Sequence, residues 1–273
     1  MTTQTTHRQL HTPTIVEVTK VEQSTPIHTT VCFDYAPPAL PGQFVMVWLP
    51  GIDEIPMSLS KVGVHKAMVA RGRGDATKAI CNLGVGDRIG IRGPYGRPFV
   101  VTHKRNIAVG GGTGMAPLLP LLRCGPKGVH WDLIVGAATA KELLYLDWAA
   151  AAAANDGVKV DVHSATEDGS AGTKGYPTAV VEKLLSRGGI DEVFTCGPEL
   201  LMHGVFKACE RFSVPLQASM ERYMKCGFGI CDACALSGYL TCLDGPVFRA
   251  PQLRQMEEFG RYHRSAAGLP EHL

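Results

Sequence analysis

The sequence lacks any apolar run long enough to cross a membrane. A bilayer-spanning helix needs about 20 consecutive, mostly apolar residues, and no uninterrupted apolar stretch of the 273 residues approaches that length. The first residues are polar and rich in threonine, without the apolar segment of an export signal. We therefore expect a cytoplasmic protein.

A charge excess is also missing. The formal net charge is only +2, and lysine and arginine do not form a block. Partners that bind through phosphate, such as nucleic acids and anionic membranes, usually require a strongly basic patch. We therefore expect neither a nucleic acid nor a membrane as a partner.

The nine cysteines are not expected to form a disulfide framework, because the cytosol keeps thiols reduced. Four of them cluster near the end of the chain with the spacing C-x4-C-x2-C-x7-C. The first three match the loop of plant-type [2Fe-2S] proteins, in which thiolates hold two irons and small residues let amides reach the sulfurs. A structural zinc site is the alternative, although zinc motifs favour two separate C-x2-C pairs. The predicted metal ligands are Cys226, Cys231, Cys234 and Cys242.

The region from about residue 8 to 100 reads as short strands separated by turns. Residues 29–35 alternate, with Val31, Phe33 and Tyr35 on one face, and residues 43–49 are apolar on both faces. Many short strands this close together indicate a small antiparallel barrel.

The region from about residue 105 to 218 instead alternates strands and helices, which favours a five-stranded parallel sheet with helices on both faces. The candidate strands are 106–110, 131–137, 158–165, 191–197 and 214–219. The candidate helices lie near 115–123, 140–154, 178–187 and 198–212. The second of them ends in an alanine run at 149–154. The predicted architecture is β plus α/β, with a barrel at 1–102, an α/β domain at 103–218 and a small cysteine-rich domain at 219–273.

A glycine-rich turn follows the first strand of the α/β region. Residues 107–122 read as a strand, the sequence GGGTG and an apolar segment. Glycines let backbone amides approach a pyrophosphate, and a helix N-terminus behind them adds partial positive charge. The pattern is not that of a P-loop, so we expect a dinucleotide here.

Three further segments give the chain its resemblance to the ferredoxin-NADP reductase superfamily: CGP at 196–198, IPMSLS at 55–60 and GDAT at 74–77. The resemblance implies FAD in the barrel and a nicotinamide dinucleotide in the α/β domain. The usual arginine before Pro56 is Ile55 here, so we expect either that Arg71 or Arg73 makes the phosphate contact instead or that FAD binds more loosely. The implied FAD residues are Pro56, Met57, Ser58, Leu59, Ala70, Arg71, Gly74, Ala76 and Thr77. The implied nicotinamide-dinucleotide residues are Gly111, Gly112, Thr113, Gly114, Cys196, Gly197 and Pro198.

The charges near the dinucleotide favour NAD over NADP. The segments after the second and third α/β strands offer Lys141 as their cation, whereas Glu167 and Asp168 would repel a 2′-phosphate.

With the cysteines at its C-terminal end, the whole chain resembles the iron-sulfur electron-transfer subunit of NAD-dependent dihydroorotate dehydrogenase, of the archaeal type. This resemblance implies a relay without acid-base residues of its own, which takes electrons from an FMN-containing catalytic subunit and passes them through [2Fe-2S] and FAD to NAD in pyrimidine (UMP) synthesis. It also implies a heterotetramer with two copies of each subunit, and Tyr223, Met224 and Phe228 are expected at the interface with the partner.

Other functions remain open at this point. The x7 spacing also occurs in reductase subunits of cytoplasmic hydrogenases and anaerobic sulfite reductases, which would keep the cofactors and change the partner. A free-standing NADH:acceptor reductase would also keep the cofactors. The alpha subunits of electron-bifurcating ferredoxin oxidoreductases use aspartate as the first cluster ligand, so Cys226 disfavours them. A zinc-stabilised binding module without enzymatic activity is the alternative from another class.

Overall fold

The computed structural model describes residues 11–146 and 158–273, and its first unit is a closed antiparallel barrel. The strand order around the barrel is β1-β2-β5-β4-β3-β6. A short helix, α1 (Asp75–Cys81), follows β5. The six strands are β1 (Thr14–Thr25), β2 (His28–Asp34), β3 (Phe44–Leu49), β4 (Asp53–Lys61), β5 (His65–Ala70) and β6 (Arg88–Tyr95).

The barrel confirms the strand pattern read from the sequence. Val31, Phe33 and Tyr35 are buried in one core cluster, as the alternation predicts. In β3 every residue is buried except Trp48, so the expectation of an apolar strand on both faces holds for most of its length. The apolar side chains that face inward fill the interior of this small barrel.

The second unit is a seven-stranded sheet in the order β10-β9-β8-β7-β11-β12-β15. The five predicted parallel strands are confirmed, and two edge strands extend the sheet. One of these, β15, comes from the C-terminal region and runs antiparallel to β12. The seven strands are β7 (Arg105–Gly111), β8 (His130–Ala137), β9 (Lys159–Thr166), β10 (Thr173–Lys174), β11 (Glu192–Cys196), β12 (Leu216–Ser219) and β15 (Val247–Arg249).

Two of the expected helices are confirmed as α2 (Pro177–Ser186) and α3 (Glu199–Phe212). The expected helix at 115–123 is instead a pair of 3-10 helices, Gly112–Met115 and Leu119–Arg123. Pro120 lacks the amide hydrogen that an α-helix over 115–123 needs there, and the rings of Pro117 and Pro120 each crowd the carbonyl group four residues earlier, so the regular ladder is interrupted. For the expected helix at 140–154, the structure has a 3-10 turn at Ala140–Glu142, and the alanine run at 149–154 lies outside the described residues.

The C-terminal region packs against both larger units. It contains two small hairpins, the edge strand β15 and one helical turn. Because β15 belongs to the sheet of the second unit, the C-terminal region and that unit share a sheet, and the domain boundaries stay a prediction. Among the described residues, no helix is both long and apolar enough to cross a membrane. The remaining elements are β13 (Ala235–Leu236), β14 (Tyr239–Leu240), α4 (Ala250–Leu253), β16 (Tyr262–Arg264) and β17 (Pro270–His272).

Candidate cofactor sites

The four clustered cysteines lie together on one loop, residues 226–242, which we call the cluster loop. Cys234 and Cys242 are buried, Cys226 is half-buried and Cys231 is exposed. Gly227 and Gly229 have φ angles of +81° and +89°, a conformation that favours glycine. The loop therefore places three sulfurs inward and leaves one edge of the site at the surface.

The sulfurs are arranged as two pairs. The thiol of Cys231 lies beside that of Cys226 and helps to lower its pKa, and the thiol of Cys242 does the same for Cys234. The amide of Cys242 also donates to Cys234 Sγ at 3.4 Å. Although all four lie in the described part of the chain, no three of their sulfur atoms fall within 4.8 Å of one another. A tetrahedral zinc site needs four sulfurs about 3.8 Å apart, given its metal-sulfur bonds. Two pairs fit a two-iron cluster, in which each iron takes two thiolates.

Hydrogen bonds in the cluster loop favour the thiolate form of Cys226 and Cys234. Burial alone would raise the pKa of the Cys226 thiol, but the amides of Ile230 and Phe228 lower it to about 7. The neighbouring Cys242 lowers the pKa of Cys234 to about 6, and the same contact raises the pKa of Cys242. Amide groups also point at the sulfurs, as in the 3.4 Å contact from Ile230 N to Cys226 Sγ. The donor set therefore fits an iron-sulfur cluster.

Strand β3 connects the cluster loop to the predicted flavin segment. Phe44 and Met46 pack in one cluster with Cys234 and Cys242. In the barrel register the same two residues are paired with Ser58 and Pro56 of β4. The predicted flavin segment is therefore one strand away from the cluster loop.

The predicted flavin residues lie along β4 and at the end of β5. Pro56, Met57 and Ser58 are partly exposed, whereas the side chains of Leu59 and Ala70 point into the barrel core. The last two therefore offer backbone atoms rather than side chains to a ligand.

The turn before α1 has room for a phosphate group. A Cβ at Gly74 would meet no atom within 4 Å. The Thr77 hydroxyl accepts hydrogen bonds from the amides of Arg73 and Gly74, and these bonds fix the shape of the turn. Ala76 is buried beneath it and Arg71 is half-buried beside it. The residues present therefore fit the pyrophosphate of FAD.

The glycine loop (residues 110–114) and the CGP turn (residues 196–198) meet at the carboxyl ends of β7 and β11, which are adjacent strands. A Cβ at Gly114 would lie 2.5 Å from Gly197 N, so the two backbones approach too closely for any side chain. Gly111 faces the same turn, where a Cβ would lie 3.3 Å from Pro198 Cδ. This close approach leaves backbone amides at the sheet edge where ligands of such folds bind.

Cys196 is brought to this edge, but its thiol is not available there. The residue is 1% exposed, and burial raises its pKa far above the ordinary value. Cys196 is the last residue of β11, so its backbone positions Gly197 and Pro198. This role does not require its sulfur to be reactive.

The segments predicted to select NAD also come together. The amide of Ala140 donates to Ser170 Oγ at 2.8 Å, which ties the turn that carries Lys141 to the turn that carries Glu167 and Asp168. Asp168 accepts hydrogen bonds from the amide and hydroxyl of Ser170, and these lower its pKa.

Two residues at these sites were missed by the reading of the sequence. His28 is 1% exposed, its Nε2 has no hydrogen-bond partner among the described residues, and a Cβ at Gly112 would lie 3.8 Å from that atom. Arg92 contacts the cluster loop from the barrel. Neither lies in a motif, and both are distant in sequence from the residues they meet.

The expected partner contacts are only partly at the surface. Tyr223 is 39% exposed, but Met224 is buried against the barrel, so the expectation for Met224 is wrong. Its side chain lies in one buried cluster with Phe44 and Met46 of β3, where the cluster loop packs against the barrel. Phe228 is half-buried against Tyr95. The exposed apolar residues beside the cysteines are instead Ile230 and Leu243.

Two family models match parts of this chain. The model for the iron-sulfur cluster binding domain of dihydroorotate dehydrogenase B matches residues 221–254, and the model for the oxidoreductase NAD-binding domain matches residues 108–207. A solved structure from work on flavin-based electron bifurcation by the NADH-dependent reduced ferredoxin-NADP oxidoreductase is 26% identical, with a TM-score of 0.76 over 89% of this chain and 90% of that one.

Two curated relatives are similar over nearly their whole length. A protein of Methanocaldococcus jannaschii is 39% identical over 94% of this chain and 97% of its own, and one of Methanothermobacter thermautotrophicus is 40% identical over 95% and 97%. Both are named probable dihydroorotate dehydrogenase B (NAD(+)), electron transfer subunit. The chain described here belongs to this family of electron transfer subunits.

Proposed function

We propose that the chain accepts electrons from an FMN-containing dihydroorotate dehydrogenase catalytic subunit and delivers them to NAD+, in pyrimidine (UMP) synthesis. The cofactors are a [2Fe-2S] cluster, FAD and NAD. The observation that carries the proposal is the order of the sites. Strand β3 lies between the cluster loop and the flavin segment. The barrel also contacts the parallel-sheet unit, which carries the glycine loop. The names of the relatives supply the catalytic partner.

The residues of this chain hold and separate the cofactors. Cys226, Cys231, Cys234 and Cys242 would hold the cluster. The predicted β4, β5 and α1 positions would hold FAD, and the glycine loop with the CGP turn would hold NAD. FAD supplies the conversion between single electrons and a hydride, which an iron-sulfur cluster cannot perform.

No acid-base residue of this chain is needed for the reaction, because dihydroorotate would be oxidised on the partner. The task of the polypeptide is to place the cofactors and exclude water between them. Burial of Phe44 and Met46 between the cluster loop and β4 supports this, since a packed apolar layer keeps solvent out.

The surface beside Cys231 suits the docking of the partner. Cys231 is exposed, and its neighbour in sequence Ile230 is 73% exposed. Leu243, which follows Cys242, and Tyr223, which precedes Cys226 by three residues, are 52% and 39% exposed. Apolar side chains next to an exposed ligand offer a desolvated contact through which single electrons can pass. We propose that the catalytic subunit covers this surface, in a cytoplasmic complex with two copies of each subunit.

The test is to isolate the tagged chain anaerobically from its native cells and identify the proteins that accompany it. The proposal predicts a dihydroorotate dehydrogenase catalytic subunit with bound FMN in near-equal amount. A matched variant, Ile230→Glu, should reduce that recovery, whereas Val85→Glu, which changes an equally exposed apolar residue on another surface, should not.

The alternative partners give distinct outcomes. A hydrogenase or sulfite reductase subunit in place of the dehydrogenase would leave the cofactors standing and overturn the proposed electron donor. The curated relatives reported above do not favour this alternative, because both carry the dihydroorotate dehydrogenase name.

A further inference from the structure

A buried arginine of the barrel is bonded to the first cysteine of the cluster loop. Arg92 lies on β6, and its side chain is 7% exposed. Its Nη1 donates to the carbonyl oxygen of Cys226 at 3.0 Å, although the two residues are 134 positions apart. Cys226 is the predicted ligand that begins the loop, so this bond fixes the loop at its entry.

The other side of the same guanidinium is held by Glu54. Nε and Nη2 donate to the two carboxylate oxygens at 2.6 and 2.7 Å, which is a bidentate ion pair. The Glu54 side chain is 26% exposed, so the negative partner is more solvated than the positive one. The buried charge that faces the cluster loop is therefore the positive one.

Aromatic rings enclose the guanidinium. The centroids of Tyr95 and Phe228 both lie 5.8 Å from Arg92 Cζ. Rings at this distance stabilise a cation and keep water away from it. A charge in such surroundings acts on its neighbours more strongly than one in water, and arginine stays protonated there.

We propose that Arg92 is a positioning residue for the cluster that also sets its reduction potential, with Glu54 as the opposing charge. A [2Fe-2S] cluster held by four thiolates becomes more negative by one charge when it takes up an electron. A buried cation beside it stabilises the reduced form and raises the potential, and nearby charge is a known determinant of such potentials. The inference rests on the proposed role of the four cysteines.

A purely structural role would give a different pattern. If the Arg92–Glu54 pair served only to clamp the loop, removing either partner would loosen the same contact, and both variants would change the cluster in the same direction. If charge matters, the two neutral variants must move the potential in opposite directions.

The experiment is a redox titration of the whole purified chain, with the reduced cluster followed by electron paramagnetic resonance. Arg92→Gln should lower the midpoint potential, so that at the wild-type midpoint the ratio of reduced to oxidised cluster falls about tenfold, or about 59 mV for one electron. Glu54→Gln should raise the potential. Arg92→Lys, which keeps the charge and loses the fork, should fall between wild type and Arg92→Gln.

The control is Arg254→Gln, which breaks another bidentate pair, with Glu210, at the exposed surface. It should leave the potential unchanged. If Arg92→Gln fails to retain iron, Glu54→Gln and Arg92→Lys decide the matter: a Glu54→Gln potential equal to or below that of wild type overturns the inference.

Failure of this inference and failure of the proposed function are distinguishable. A wild-type cluster with unmoved or same-direction potentials in the variants would overturn the role of Arg92 alone. Wild-type protein without iron and acid-labile sulfide would overturn the assignment of the four cysteines, and the role of Arg92 with it.

Discussion

The cluster loop and the glycine loop of this chain are built in opposite ways. In the cluster loop, side chains carry the chemistry: four sulfurs lie in two pairs, and glycines with positive φ shape the backbone between them. At the glycine loop the backbone is what a ligand can reach, and the thiol of the neighbouring Cys196 is buried. A side-chain site should be destroyed by removing atoms, whereas a backbone site should be destroyed by adding them.

The largest effect is expected from removing a sulfur. Cys234→Ser should leave the purified chain without its cluster and abolish electron transfer from a partner, because one of the two cysteine pairs is lost. NADH-dependent dye reduction through FAD should persist. Metal analysis and the visible spectrum measure the change.

The matched control is Cys209→Ser, which alters a buried cysteine on α3 that packs in the core of the parallel-sheet unit and not with the cluster cysteines. It should keep full iron. Equal iron loss in both variants would mean that the effect comes from instability rather than from ligation.

The second effect comes from adding one atom at the glycine loop. Gly114→Ala should lower NADH-dependent dye reduction about 100-fold, since the new methyl group collides with the Gly197 backbone and displaces both loops. The iron content should not change. Gly63→Ala serves as the control, because a Cβ there meets nothing within 4 Å, and its activity should match that of wild type.

A smaller effect tests the preference for NAD. Neutralising the carboxylates with Glu167→Gln and Asp168→Asn should improve the use of NADPH relative to NADH about tenfold, because two negative charges near a 2′-phosphate are removed. The ratio of kcat/KM for the two cofactors measures it. Glu22→Gln, on the barrel, should leave that ratio as it is, and a similar change there would contradict the assignment.

The smallest effect concerns His28, which faces the glycine loop from the barrel. Burial, with a contribution from Arg71, lowers its pKa from 6.5 to about 4. Between these values the unfolded chain binds a proton that the folded chain does not, so stability falls as the pH drops through this window. Relative to His28→Gln, the wild-type Tm should fall by about 5 °C between pH 7 and pH 5. A Tm difference that does not vary with pH would contradict the buried neutral ring.

The fold and the candidate sites could be predicted from the sequence only where local patterns encode them. Cysteine spacing and a glycine run after a strand are local patterns, so the cluster loop, the glycine loop and the five parallel strands could all be found in the sequence. The apolar run at 115–123 favours an α-helix in the sequence. The structure has 3-10 helices at Gly112–Met115 and Leu119–Arg123 instead, because two prolines interrupt the run.

Long-range contacts could not be predicted in this way. The bond from Arg92 to Cys226, the burial of Met224 on the barrel and the pairing of β15 with β12 each join segments distant in sequence. No local periodicity encodes them, because they depend on how the C-terminal region seats on the two larger units. Ile55 remains the one departure from the flavin motif, with Arg71 half-buried and Arg73 exposed near the turn before α1.

The central claim is that this chain connects dihydroorotate oxidation on a partner to NAD+. The most direct measurement is anaerobic NADH formation from dihydroorotate and NAD+ by the purified chain and the catalytic subunit, separately and together. The account predicts that the pair forms NADH, that neither protein does so alone, and that Cys234→Ser abolishes the activity of the pair. NADH formation by the catalytic subunit alone at the rate of the pair, or undiminished activity with Cys234→Ser, would contradict it.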